Sequence, residues 1–315
     1  MTQGILILWL VSALAIVFEK RTYRLIIFFS IFSLITSMAY FLLGSPDVAM
    51  AEAGIAAFST IFFIICIEKY YSRRENITKE RVMNEPFIKR IIRVLPALLL
   101  CIGLFVLVLQ FIPGIAASDY LKHLYLTRFM EDIGGQNAVT AIYLGYRVYD
   151  TLFEALILVI AVVAVTHMSY DEREQIADES HSEIEESRVA ALALRIICPI
   201  IIAFGAYLIV NGHITAGGGF QGGLALATFF ICRYMIFGIY DISIKKVLEW
   251  EEFIFINIIL VVAVAVFLGA GAFIPAEIFP FYQSVYLIIM NLLIGLKVAC
   301  GFFVLFYRYI TIERR

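Results

Sequence analysis

Lys297 stands inside the apolar run that ends near Phe306, with Asn291 two turns before it. An ammonium near the middle of such a run is costly unless a carboxylate or a hydrated cavity meets it. Snorkelling relieves it only in part, because ~13 Å of helix separates it from the end of the run. Carboxylates in comparable settings are Glu52, Asp150 and Glu154. Glu52 lies ~7 Å deeper than Asp47 along one helix, where it is either hydrogen-bonded at the interface or part of an ion pathway. Asp150 and Glu154 share a helix face at i, i+4 and could hold one proton or one cation between them; a complement to the helix dipole suffices for Asp150 but less well for the deeper Glu154. His213 could relay protons or sit hydrogen-bonded at the interface.

The most distinctive run is Asn211-Gly212-His213 followed by Gly217-Gly218-Gly219-Phe220-Gln221-Gly222-Gly223. Gly218/Gly222 and Gly219/Gly223 form small-xxx-small pairs, which let helices approach closely. The run lacks the Gly-Lys-Ser/Thr ending of a phosphate cradle. No His/Cys ligand set and no Ser/His/Asp arrangement stands at a plausible depth, so no metal, cofactor or catalytic residue is assigned to the chain.

The elements that must carry these residues are membrane spans. Of 315 residues, 62% are hydrophobic and 16% charged, and the mean hydropathy is +0.93, far from the balance of a water-soluble domain. Apolar runs near 4–18, 25–43, 48–67, 91–112, 152–168, 195–210, 220–240, 253–270 and 283–306 predict an all-α integral membrane protein of about nine transmembrane helices. The runs are continuous, without the period-2 alternation of a barrel. With the N-terminus outside and the C-terminus cytoplasmic, all of the 24 Lys and Arg except Lys122, Arg128, Arg147 and Lys297 fall inside, as basic residues in short loops do. The net charge of −2 leaves no basic excess for nucleic acid, and the lipid bilayer is the expected surrounding. The 5 cysteines all lie in the runs and read as small apolar residues.

Two charged cytoplasmic stretches divide the chain into a three-span unit (1–90), a two-span unit (91–168), an acidic linker (169–188) and a four-span domain (189–315). Between Pro113 and Asp150, amphipathic stretches at Tyr120–Met130 and Asn137–Tyr143 predict surface helices on the outer leaflet. Ser45, Pro46 and Asp47 fit the start of the third span as N-cap, first-turn proline and dipole complement.

The glycine run closely resembles the signature of the B subunit of Mrp-type multisubunit sodium/proton antiporters, shared by the related membrane-bound hydrogenases. Gly44 to Glu52, and Gln136-Asn137-Ala138-Val139-Thr140-Ala141-Ile142 with Arg147, Asp150, Thr151 and Glu154, resemble blocks near the C-terminal end of the A subunit. Ala216 stands where that family usually has Pro, and Phe153 where it has Gly. The resemblance implies the C-terminal part of the A subunit fused to a B-type domain, working beside antiporter-like subunits and sometimes a hydrogenase or other redox module. Such a chain would help to form a path for sodium or protons, with Glu52, Asp150, Glu154, His213 and Lys297 as ionisable stations. The alternative is a scaffold in which these polar groups only hold helices together.

Overall fold

The computed structural model of the chain describes residues 2–19, 21–71, 99, 102–103, 106, 119–168, 188–237, 243–268 and 280–311. The described elements are helices: α1 (Thr2–Phe18), α2 (Thr22–Leu42), α3 (Pro46–Tyr71), α4 (Asp119–Ile133), α5 (Ala138–Ala141), a π-helical turn (Ile142–Tyr146), α6 (Val148–Met168), α7 (Arg188–Asn211), α8 (Gly219–Phe237), α9 (Ile244–Leu268) and α10 (Pro280–Thr311). Two units divide them: Met1–Ile64 with Phe129–Arg315, and Ile65–Arg128. The second holds the end of α3 and the first turns of α4, where Thr127 Oγ1 donates to His123 O at 2.7 Å.

Among the described residues, six helices are long and apolar enough to cross a membrane: Thr22–Leu42, Pro46–Ile67, Val148–His167, Leu192–Asn211, Ile244–Phe267 and Ser284–Tyr309. Gly4–Phe18 is a shorter apolar helix. α8 covers the run at 220–240 as far as Phe237, beyond which it lies outside the described residues, and the run at 91–112 lies mostly outside them. The chain is a multi-pass membrane protein.

In the larger unit α10 is the axis. Its span is 61% buried, against 17–22% for the others, and α6, α7, α8 and α9 pack around it. Small residues allow this. A Cβ on Gly219 would lie 2.5 Å from Asn291 O, and one on Gly223 2.5 Å from Gly295 O, so α8 meets α10 backbone to backbone. α8 meets α7 in the same way, where a Cβ on Gly222 would lie 2.6 Å from Gly205 O. Gly218, expected as the packing partner of Gly222, precedes the helix at φ 153° and lies against the Tyr143 hydroxyl.

At the N-terminal end, α1 joins α2 through Trp9 Nε1 donating to Thr36 Oγ1 at 2.9 Å. Gly44, at φ 79°, ends α2 in the left-handed conformation that glycine adopts without strain, and the chain turns straight into Pro46 of α3. The π-helical turn before α6 leaves backbone carbonyls outside the regular ladder. Thr151 Oγ1 donates to Tyr143 O at 2.6 Å and the Tyr286 hydroxyl to Leu144 O at 2.9 Å, which meets the demand for partners in a buried setting.

Candidate functional site

Three polar centres lie within the larger unit. The first joins distant parts of the chain. Asp47, buried at the start of α3, accepts through Oδ1 from Asn137 Nδ2 at 3.0 Å and from the Gly217 N–H at 3.1 Å. Asn137 Nδ2 also donates to Gly212 O (3.1 Å) and Thr215 O (2.9 Å), while its Oδ1 caps α5 by accepting from the Val139 N–H. The N–H groups of Gln136 and Asn137 both donate to His213 O. His213 therefore enters by its backbone; its ring Nδ1 lies 3.0 Å from Val210 O in the last turn of α7. The Asn211 carbonyl accepts from the N–H groups of Ile214 and Thr215 and closes the turn after α7. Asp47 thus ties α3, the α4–α5 connection and the glycine loop together, beyond serving its own helix dipole.

The second centre is Asn291, fully buried on α10. Its Oδ1 accepts from the Gly219 N–H and from the Tyr143 hydroxyl, each at 3.0 Å, so a residue of α10 caps α8. The Gly219 N–H is a donor in any protonation state, which fixes that atom as the oxygen. Burial pushes the Tyr143 phenol above its ordinary range, and it stays a donor.

The third centre is ionic. Lys297 Nζ pairs with Glu251 Oε1 of α9, both side chains are 1% exposed, and the ammonium also lies 5.3 Å from the centroid of Phe255. A buried ammonium needs such a carboxylate. The sequence located Lys297 but not its partner, which lies in this chain.

Glu154 does not join Asp150. Asp150 pairs instead with Arg147 at the exposed end of α6, while Glu154 makes no hydrogen bond or ion pair with any described residue. It lines a cavity of about 300 Å³ between α6, α8 and α10 together with Thr151, Phe220 and Lys297. The helix register explains why Glu154 and Lys297 line the same cavity. Tyr143 reaches Asn291 near the start of α6, and Gly301 lies against Leu158 further along, so α6 and α10 run parallel. One turn before Leu158 and Gly301 come Glu154 and Lys297.

Glu52 stands apart from these centres. It accepts from Ser33 Oγ of α2, one turn from the bond that Ser37 Oγ donates to Ala49 O at 2.6 Å. Gln221 lies beside the glycine loop, its Oε1 3.0 Å from where a Cβ on Gly218 would stand. Among the described residues no group of three or more His, Cys, Asp or Glu is gathered as a metal site.

A buried ion pair on an axial helix, beside a membrane-depth carboxylate, marks the class: a multi-pass helical membrane protein with charged groups held inside its bundle. Residues 189–304 match the family described as a domain related to the MnhB subunit of Na+/H+ antiporters, and residues 7–71 match that described as the D subunit of MBH. Both matches fall within one polypeptide. A probable K(+)/H(+) antiporter A/B subunit of Rhizobium meliloti is 26% identical over 232 residues, covering 64% of this chain and 22% of that protein. A chain of the Mrp complex from Dietzia sp. DQ12-45-1b shares the fold over 99% of this chain and 35% of its own, with TM-score 0.76 and 16% identity. A chain of the membrane-bound sulfane sulfur reductase, an archaeal respiratory membrane complex, matches with TM-score 0.55 and 26% identity over 70% of this chain and 97% of its own. The chain spans between about a fifth and a half of the length of the curated relatives it matches.

Proposed function

We propose that this chain is a membrane subunit of a multisubunit cation/proton antiporter, or of a related ion-translocating redox complex, in which it helps to form a sodium or proton path. The observation that carries the reading is Glu154. It stands about 9 Å along the α6 span, exposed on the surface of the chain beside Phe153 and Ile157, and within one cavity of the buried Lys297. A carboxylate left against lipid at that depth is costly, so it needs a neighbouring protein or water-filled space beside it. Antiporter-like subunits of the Mrp type are the proposed neighbours, with a redox module in some complexes.

The chain is organised as a three-span unit, a two-span unit, an acidic linker and a four-span MnhB-related domain, about nine spans in all, with the N-terminus outside and the C-terminus cytoplasmic. The match at 189–304, which begins where the acidic stretch ends, supports the last boundary. Glu154, Lys297 and its partner Glu251 form the ionisable core of the path. Glu52 serves the α2–α3 hairpin, and Asp47, Asn137 and the glycine run hold the parts in register.

Purification under mild detergent tests the reading. Antiporter-like membrane subunits should co-purify with the chain, and recovery of the chain alone, at full yield and stable, contradicts it.

A further inference from the structure

α6 and α8 both pack against α10 but barely against each other, and the gap between them is the cavity of about 300 Å³. Ile294, Val298, Phe302 and Leu305 of α10 form its floor, between Leu158 of α6 and Phe220 of α8. The Thr151 hydroxyl is turned to Tyr143 O and Lys297 is drawn to Glu251, so the surface on offer is almost wholly apolar. Water would find too few polar partners there. Glu154 and Ile157 are exposed on the α6 side of the opening, and Glu154 makes no hydrogen bond or ion pair with any described residue. No free cation stands ready for it: Lys297 is held by Glu251, and Arg147, two turns before Glu154, by Asp150. The chain's own apolar run at 91–112, mostly outside the described residues, has Arg93 at its start and no other Lys or Arg.

We propose that this groove docks a membrane-spanning helix of a neighbouring subunit, whose Lys or Arg meets the Glu154 carboxylate and whose large apolar side chain, about one turn away, fills the cavity. The inference rests on reading the chain as one subunit of a larger complex. A lipid tail would fill the cavity but bring no charge to the carboxylate, and water beside the carboxylate would leave the cavity unfilled. A helix meets both demands at once, because residues three or four apart share one face. Protein interiors leave few voids larger than a water molecule, so an apolar space of this size calls for a side chain. Ala155 and Ala161 keep the α6 wall low, which lets a second helix come close. One carboxylate against one cation leaves the contact neutral, as charged groups at membrane depth require.

The test is photo-crosslinking in native membranes with p-benzoylphenylalanine in place of Ile157, followed by purification of the complex and mass spectrometry of the joined peptides. The adduct should fall on another subunit, in an apolar run that carries a Lys or Arg. With Glu154 intact, an adduct to lipid alone, an adduct within this chain, or an adduct to a run without a Lys or Arg would each overturn the proposal. E154K should cut the cross-link at least about tenfold, since it sets two cations against each other where a buried pair stood. Changing the mapped Lys or Arg to Glu in the E154K background should restore it, which separates lost pairing from misfolding. An E154K complex that cross-links as wild type, or a charge-swapped pair that restores nothing, also overturns the docking site. Co-purifying subunits without a cross-link at Ile157 refute the docking site alone, whereas a chain recovered stable and by itself refutes the complex on which it rests.

Discussion

Gly219→Ala adds one methyl group where the structure has no room for it. Its Cβ would stand 2.5 Å from Asn291 O and 2.9 Å from Ile294 Cβ, against the 3.4–4 Å of ordinary contact. Both neighbours belong to the most buried helix, so neither can turn aside. α8 must withdraw by roughly 1 Å, as close-packed interiors transmit strain rather than absorb it. That movement stretches the 3.0 Å bond from the Gly219 N–H to Asn291 Oδ1 beyond hydrogen-bonding range. Overpacking costs about 1–3 kcal/mol and an orphaned buried donor about as much again, for a total of about 2–5 kcal/mol. Gly54→Ala is the control, because its Cβ meets only the Leu224 side chain, Cδ2 at 3.3 Å and Cγ at 4.0 Å, and no backbone atom. Its effect should stay within about 0.5 kcal/mol. The assay is the thermal midpoint and yield of the complex in mild detergent. A Gly219→Ala protein that melts with wild type, or a Gly54→Ala protein that loses as much stability, refutes the backbone-contact account of α8 and α10.

Asp47→Ala should destabilise the larger unit by about 1–3 kcal/mol, chiefly by orphaning the Gly217 N–H, while Asp47→Asn, which keeps an acceptor oxygen, should lose less; thermal midpoints of the two variants decide it. Glu251→Ala should cost about 3–5 kcal/mol by stranding the Lys297 ammonium, and Glu251→Ala with Lys297→Met should recover most of that, which assembled yield measures. Single-cysteine labelling from outside intact cells should reach Ser118→Cys and not Ser72→Cys, and the reverse pattern refutes the proposed orientation.

Lys297 was legible in the sequence because a charge interrupting a long apolar run violates the local rule for a span. Glu251 was not, because it falls between the apolar runs near 220–240 and 253–270, among Lys245, Lys246, Glu249 and Glu252. α9 in fact begins at Ile244, and Glu251 lies about two turns inside it. Helical phase held the missing signal: Glu251 shares its face with the buried Ile254, Ile258 and Val262, whereas Glu252 and Phe253 face outward. Six of the apolar runs correspond to described helices long and apolar enough to cross a membrane, for the same reason that Lys297 stood out, since length and hydropathy are local properties. The Asp47–Asn137–Gly217 hub joins positions 170 residues apart in sequence, and no local pattern encodes it. Asp150 and Glu154 show the limit of spacing arguments. They share a helix face, but Arg147 takes one and the cavity takes the other.

The most direct test of an ion path through this chain is sodium-dependent proton flux in proteoliposomes containing the complex with Glu251→Gln and Lys297→Met together. The pair of changes removes both charges of the buried site, nearly conserves volume and leaves no stranded ion, so the complex should assemble. The account predicts an assembled complex without sodium-dependent proton flux. An assembled complex with undiminished flux would contradict it.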